Sequence, residues 1–287
     1  MADFHPHLET PVMSPDQPKF DDMLSRFGLR VLPFTRELRV EDRFVYAPFD
    51  TALNHLLRVV RKRMSASLIA AAGTGKTVLL RALRAGLSET RYRVHYLKVT
   101  DLAKRDFCRE IAAAVGIEPV GSYPTLVRRL QDRFTQTFEG EALRPVLLID
   151  ESHDIRPEVL GILRILTNFE MDSRLIVSVI LAGQPPLTKL LHNEKLEAVA
   201  NRLAHCARLP LLSREEMVGY VNHRFHMAGA QSVPFDSVAM DALYEAGRGN
   251  LRATDHLALK ALEAAHDKDC ERVDTNHVME ARSQLWA

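Results

Sequence analysis

The stretch AAAGTGKT, Ala70–Thr77, decides the fold. Before it runs ASLI (Ala66–Ile69), a short apolar segment that reads as a buried strand. After it, VLLRALRAGL (Val78–Leu87) has the apolar spacing of a helix. Strand, Gly-rich turn and helix in that order is the setting of a phosphate-binding loop, G-x-x-x-x-G-K-[ST]. In such a loop successive backbone N–H groups, here spanning Ala72, Gly73, Thr74, Gly75, Lys76, Thr77 and Val78, surround a phosphate at a helix N-terminus. Gly73 and Gly75 allow the tight turn, Lys76 reaches the terminal phosphate oxygens, and the Thr77 hydroxyl is a ligand for Mg²⁺. The first motif position is Ala70, not Gly. One added methyl at the end of a strand is a small perturbation if the local φ is negative.

A second strand-like run, RPVLLID (Arg144–Asp150), ends in two acids, Asp150 and Glu151. Adjacent carboxylates at the end of an apolar strand are costly without a purpose. Asp150 is expected to hold Mg²⁺ through water and Glu151 to polarise the attacking water. His153, two residues on, reads as a neighbour of that site or as a surface residue.

Outward from these motifs, strands and helices alternate. FDTALNHLLRVVRKR (Phe49–Arg63) reads as a helix with Asp50 as N-cap, and RVHYLKV (Arg93–Val99) as a second strand. DLAKRDFCREIAAAVG is a helix closed by Gly116, PTLVRRLQDRFTQTF another, and PEVLGILRILTNFE a third. RLIVSVILAG (Arg174–Gly183) is a continuous apolar strand of the kind buried on both faces of a parallel sheet. The expectation is an α/β domain, with a parallel sheet flanked by helices. Beyond LPLLSREE every segment reads as helix, opening with a capping box of Ser213 and Glu216. The expected organisation is a flexible tail over residues 1–22, an α/β core over 23–210 and an all-α lid over 211–287. The tail is suggested by Pro6, Pro11, Pro15 and Pro18, and its His5 and His7 read as solvated.

Composition narrows the partners. Thirty-eight basic against 37 acidic residues give a net charge of +1, so a nucleic acid would have to be met by local clusters. Cys108, Cys206 and Cys270 are widely separated, as expected for reduced thiols in a cytoplasmic protein. No apolar run approaches the ~20 residues of a membrane span, and the first residues lack a secretion signal.

AAAGTGKT, LLIDES, LAGQPPL and GRGNLR, in this order, resemble the motifs of an AAA+ ATPase of the P-loop NTPase class. FGLRVLPF (Phe27–Phe34), IDESHDIRPEVLGILRILTNFE and LLSREEMVGYVNHRFHMAGA resemble the ExeA-like branch and the TniB, TnsC and MuB class of transposition ATPases. The resemblance spans roughly residues 25–270. It implies ATP with Mg²⁺ as ligands, and it implies roles for three further residues. Gln184 becomes a sensor that orients the lytic water, its alternative being a turn former before Pro185 and Pro186. Arg202, in EAVANRLAHCARL, matches an arginine finger acting on ATP of a neighbouring subunit, with Arg208 as competitor. Arg252 matches a second sensor on the lid.

For function, the resemblance implies an ATPase that assembles as a hexameric ring or helical filament on duplex DNA and recruits a transposase. Secretion-type relatives continue past the lid, whereas this sequence ends at Ala287, which turns the expectation towards the transposition ATPases. Candidate DNA contacts are Lys98, Lys104 and Arg105 after the second strand. Two further clusters, Arg58 with Arg61, Lys62 and Arg63, and Arg128 with Arg129, read more readily as solvated helix faces than as DNA contacts. The alternative is a secretion or envelope assembly ATPase acting on protein partners.

Overall fold

The computed structural model describes residues 17–203 and 205–285. Five parallel strands form one sheet in the order β2-β3-β4-β1-β5: β1 (Ala66–Ala70), β2 (Tyr92–Lys98), β3 (Arg144–Asp150), β4 (Ser178–Gly183) and β5 (His205–Leu209). Parallel strands need crossovers, and helices supply them. They are α3 (Lys76–Ala85), α4 (Lys104–Ala114), α5 (Tyr123–Thr135), α6 (Pro157–Leu160), α7 (Ile162–Leu166), α8 (Pro186–Leu191) and α9 (Glu197–Arg202), while α1 (Gln17–Arg26) and α2 (Ala47–Arg61) precede β1 in the chain. β1, β3 and β4 are buried at nearly every position, so they read as apolar runs without alternation.

Register lines up the chemistry. Lys98 pairs with Asp150, Ile149 with Leu181, and Ile69 with Gly183. The phosphate loop, the paired acids and Gln184 therefore all leave the sheet at its carboxyl edge, the usual ligand edge of an open parallel sheet. Leu147, Ile149, Val179 and Leu181 share a buried cluster with Phe107, Ile111, Leu130 and Phe134 of α4 and α5. By alternation Leu68, Leu148 and Ile180 face the other side of the sheet.

Several expected boundaries move. α2 begins at Ala47 with Pro48 in its first turn, and Tyr46 occupies the N-cap position, so Asp50 is a first-turn acid and not the cap. PEVLGILRILTNFE is interrupted at Gly161, leaving the short α6 and α7. β4 starts only at Ser178, where pairing with Val146 begins; Arg174 instead bridges back to Phe169 and ion-pairs with Glu139 and Glu170.

The chain divides into two compact units. The α/β unit comprises 38–213 together with Gly249–Arg252. The other gathers α1 and the segment up to Glu37 with the bulk of the C-terminal helices α10 (Arg214–Met227), α11 (Ser237–Gly247), α12 (Leu251–Asp267) and α13 (Thr275–Leu285). This corrects the expected division in three places. Residues 17–22 are helical and not a flexible tail, 23–37 group with the C-terminal helices and not with the core, and 249–252 group with the core and not with the lid. Residues 1–16, with His5 and His7, lie outside the described residues. The reason for the second shift is visible in FGLRVLPF. Arg30 N donates to Ala228 O at 2.8 Å, the Phe34 ring meets Phe225 edge-on at 5.3 Å, and Arg224 donates to Thr35 O at 2.8 Å.

In the helical unit Tyr220 donates to Asp255 at 2.6 Å and receives Arg224 at 3.3 Å. Burial pushes the Asp255 carboxyl up to about 6 from 3.8, against the lowering influence of Tyr220 and Arg224. The folded state thus binds the proton more tightly than the unfolded chain, so this group's contribution to stability declines as pH rises from about 4 through about 6. Asp255→Asn removes that titration. Its stability relative to wild type, from urea melts, should rise over this interval, and a difference that stays flat with pH would contradict the assignment.

Candidate nucleotide site

The loop after β1 has the backbone its glycines promise. Gly73 has φ +77° and Gly75 φ +90°, the left-handed region in which a side chain is strained. Ala70 ends β1, 2% exposed, in register with Leu209, and is absent from the residues of positive φ. Its extra methyl is packed in the sheet and does not disturb the turn. Thr74 is buried and ties the loop to itself, donating from Oγ1 to Ala71 O at 2.8 Å. Gly75 is the N-cap of α3, so Lys76, Thr77 and Val78 form its first turn, where unbonded N–H groups favour an anion.

Lys76 is nearly buried, and its ammonium lies 3.1 Å from Asp150 Oδ1 and 3.0 Å from Glu151 Oε2. Asp150, 2% exposed, has both oxygens engaged. Oδ1 also accepts the Glu151 N–H at 2.8 Å. Oδ2 accepts from Thr77 Oγ1 at 3.3 Å and from the Tyr96 hydroxyl at 3.2 Å. Thr77 and Asp150, the expected Mg²⁺ pair, are thus brought together. They would hold a hydrated divalent cation, which would supply charge neutralisation to a bound phosphate. Burial, and then the Asp150 charge, push the Tyr96 hydroxyl up to about 12, so it remains a donor.

Glu151 sits in a left-handed conformation, φ +56°, which is uncommon for a non-glycine residue and marks a backbone held by its surroundings. His153 is nearly buried beside it, Nδ1 3.6 Å from Glu151 Oε2. Gln184 directly follows β4, partly exposed, and its carbonyl accepts the Leu187 N–H that opens α8.

The segment Gly249–Arg252 lies on the loop. Asn250 Nδ2 donates to Ala72 O at 2.6 Å, and Arg252 N donates to Gly73 O at 3.1 Å. A Cβ at Gly73 would collide with Asn250 Oδ1 and come within 2.9 Å of Arg252 Cβ. Gly249 in turn abuts the Leu212 carbonyl, and Leu212 N donates back to Gly249 O at 2.9 Å. The backbone of Arg252 is therefore held against the loop, and its side chain is exposed.

Other expected residues lie elsewhere. Arg202 ends α9, donating to Ala198 O at 3.1 Å and pairing with Asp172. Arg208 is exposed on β5. Lys98, Lys104 and Arg105 are exposed, with Arg105 donating to Gly121 O at 3.0 Å. Tyr96 and Asn250 were not foreseen. Asn250 sits inside the quoted GRGNLR motif; for Tyr96 the only signal was a polar-tipped aromatic near the end of β2.

Residues 58–191 match the family model described as AAA domain. Over 250 residues, 86% of this chain, the sequence is 27% identical to General secretion pathway protein A of Aeromonas hydrophila. The chain spans 45% of that relative's length. Among solved structures, the fold is similar to Cdc6p from Pyrobaculum aerophilum (16% identity, TM-score 0.71, 88% of this chain and 70% of that one). It is also similar to the Aeropyrum pernix ORC1 protein in complex with DNA (20%, 0.64, 88% and 68%). A third is the Thermotoga maritima RuvB Holliday junction branch migration motor (17%, 0.54, 83% and 67%). The fold is that of the P-loop NTPases, and with the AAA domain match the chain is an ATPase.

Two substitutions separate the loop's positions. Ala70→Gly should leave ATP affinity within about twofold and cost about 0.5–1 kcal/mol of stability. Gly73→Ala should reduce affinity at least tenfold, the order expected when charge-assisted contacts are displaced. Equal affinities in fluorescent-nucleotide titrations would contradict this reading of the loop.

Proposed function

We propose that this chain is a Mg·ATP-dependent AAA+ switch that assembles on duplex DNA and regulates transposition by marking a target and recruiting a transposase. The observation that carries the switch is the Lys76 ammonium held between Asp150 and Glu151. When a triphosphate enters, Lys76 turns to its oxygens and leaves Glu151 free to act on water. Thr77 and Asp150 then hold Mg²⁺, and Gln184 orients the water from the end of β4. Arg252, on the segment bonded to the loop, contacts the phosphates. Arg202 serves a neighbouring copy, and hydrolysis releases the assembly.

The DNA step is supported by the fold similarity to a protein solved in complex with DNA and by the exposed Lys98, Lys104 and Arg105. Phosphate contacts alone suffice for sequence-independent binding. The oligomer is a ring or a helical filament, and the cytoplasm is its place. Among the described residues no helix is long and apolar enough to cross a membrane. A second reading, an ATPase for secretion or envelope assembly acting on proteins, is favoured by the match to General secretion pathway protein A.

Glu151→Gln separates the two. The variant should bind Mg·ATP and form long-lived assemblies on duplex DNA. Log affinity should fall linearly with log salt, by about 0.9 per phosphate contacted. Lys104→Ala with Arg105→Ala should lower that slope by about two. ATP turnover with neither DNA binding nor DNA stimulation at low salt favours the protein-directed reading.

A further inference from the structure

A band of cations lies at the edge of the sheet opposite the phosphate loop. In a parallel sheet all strands begin at one edge, and here β3, seven residues long, separates that edge from Asp150 by about 20 Å. Arg144 opens β3, Arg91 directly precedes β2, and Arg144 N donates to Arg91 O at 2.8 Å. α2 ends at Arg61, followed by Lys62 and Arg63, and the Arg61 carbonyl accepts from Arg144 Nη1 at 3.4 Å. α3 returns to the same edge, where Arg84 lies in its last turn and Gly86 abuts Leu57 of α2. Taken alone, each group reads as a solvated end of a helix or strand; the fold sets them side by side. Arg61, Lys62, Arg63, Arg84 and Arg91 are exposed, Arg144 is half-buried, and none of the six makes an ion pair among the described residues. The neighbouring acids are already taken: Glu141 pairs with Arg93 and Arg133, and Glu139 and Glu170 pair with Arg174. Glu89, exposed in the turn before Arg91, is left to oppose six cations.

We infer that this amino-terminal edge binds the phosphate backbone of duplex DNA, and does so without nucleotide. The inference does not rest on Lys98, Lys104 or Arg105, which leave the sheet at the other edge. Three observations select this occupant. The first is charge held against local preference. Arg63 has φ +60° in the turn that closes α2, where Met64 N donates to Val59 O at 3.0 Å and glycine is the usual residue. An arginine there is strained, and its guanidinium is held over the Phe138 ring at 5.2 Å. The second is charge left unneutralised. Helix C-termini favour cations, which accounts for Arg61 and Arg84 but not for Arg63, Arg91 or Arg144. Like charges gathered this way repel one another until a polyanion screens them. The third is the surface between the charges. Single strands need exposed rings to stack on, but Tyr92 is buried with Arg144 over it at 5.9 Å, and Phe138 lies beneath Arg63 and Arg174. Leu175, 53% exposed beside Arg174, is a single apolar side chain. A membrane-lying face needs a run of them, and a protein interface needs buried anchors. From β1 to β2 the band spans three strand spacings, about 14 Å, enough to reach across either groove of a duplex.

The test is fluorescence anisotropy of a labelled duplex titrated with the full chain, free of nucleotide, over a salt series. The wild-type chain should bind, with log affinity falling linearly with log salt. Arg61→Ala, Lys62→Ala and Arg91→Ala combined should lower that slope by about two to three and the low-salt affinity at least tenfold. The same variant should bind a fluorescent Mg·ATP analogue with wild-type affinity, which shows that it is folded. Lys104→Ala with Arg105→Ala should leave nucleotide-free binding within about twofold of wild type. No duplex binding without nucleotide, or binding untouched by the triple variant, overturns the inference. A single strand bound as tightly as the duplex overturns the choice of ligand. Phosphatidylglycerol vesicles or polyglutamate held through the same three residues, with the duplex ignored, overturn it by assigning the edge to a lipid surface or an acidic protein. Nucleotide-free duplex binding that needs the three residues, in a chain that never assembles on DNA with ATP, supports the inference while contradicting the ATP-dependent switch.

Discussion

A single buried ion cluster sets the terms for the rest of the α/β unit. Lys76, Asp150 and Glu151 meet where β1 and β3 leave the sheet, and at least two of the three are nearly out of water. Buried charges are tolerated only when paired and hydrogen-bonded. Here the pairing is met by groups from separate parts of the chain: the first turn of α3, the end of β3, and Tyr96 from β2. The same ammonium that neutralises the acids in this state is the group a triphosphate would claim. On the proposed reading, the pairing that occupies Lys76 in this state is the one a triphosphate would replace.

The parallel register makes that meeting possible. Because Lys98 pairs with Asp150 and Ile69 with Gly183, three loops of different length end at one edge. The loop is then finished by a short piece of chain distant in sequence. Gly249 has to be glycine because the Leu212 carbonyl occupies the space of a side chain, and this contact sets Asn250 and Arg252 against Ala72 and Gly73. Closure of the loop thus depends on the turn after β5 as much as on its own glycines.

The sheet, its order of elements and the phosphate loop were legible because they are written locally: apolar runs ended by glycine or acid, and helices at regular spacing. Lys76, Thr77, Asp150 and Glu151 were found for the same reason. What was not legible required distance information. Nothing in YRVHYLK tells that Tyr96 reaches the second oxygen of Asp150, since that depends on which strand is its neighbour. The nearly unbroken apolar run from Leu175 to Leu181 hid the start of β4, because pairing with Val146 begins only at Ser178 while Arg174 is held by Glu139 and Glu170. The grouping of FGLRVLPF with the C-terminal helices depends on Phe34 meeting Phe225 across roughly two thirds of the chain, a contact no local pattern announces.

The central claim is that Lys76 exchanges carboxylates for phosphate. Titration calorimetry of ATP into the full chain, with and without Mg²⁺ and beside a Lys76→Ala chain, addresses it directly. One-to-one binding that tightens about tenfold or more with Mg²⁺, and is weakened at least tenfold by loss of the lysine, is the predicted result. Binding that is indifferent to Lys76, or no binding of ATP at all, would contradict it.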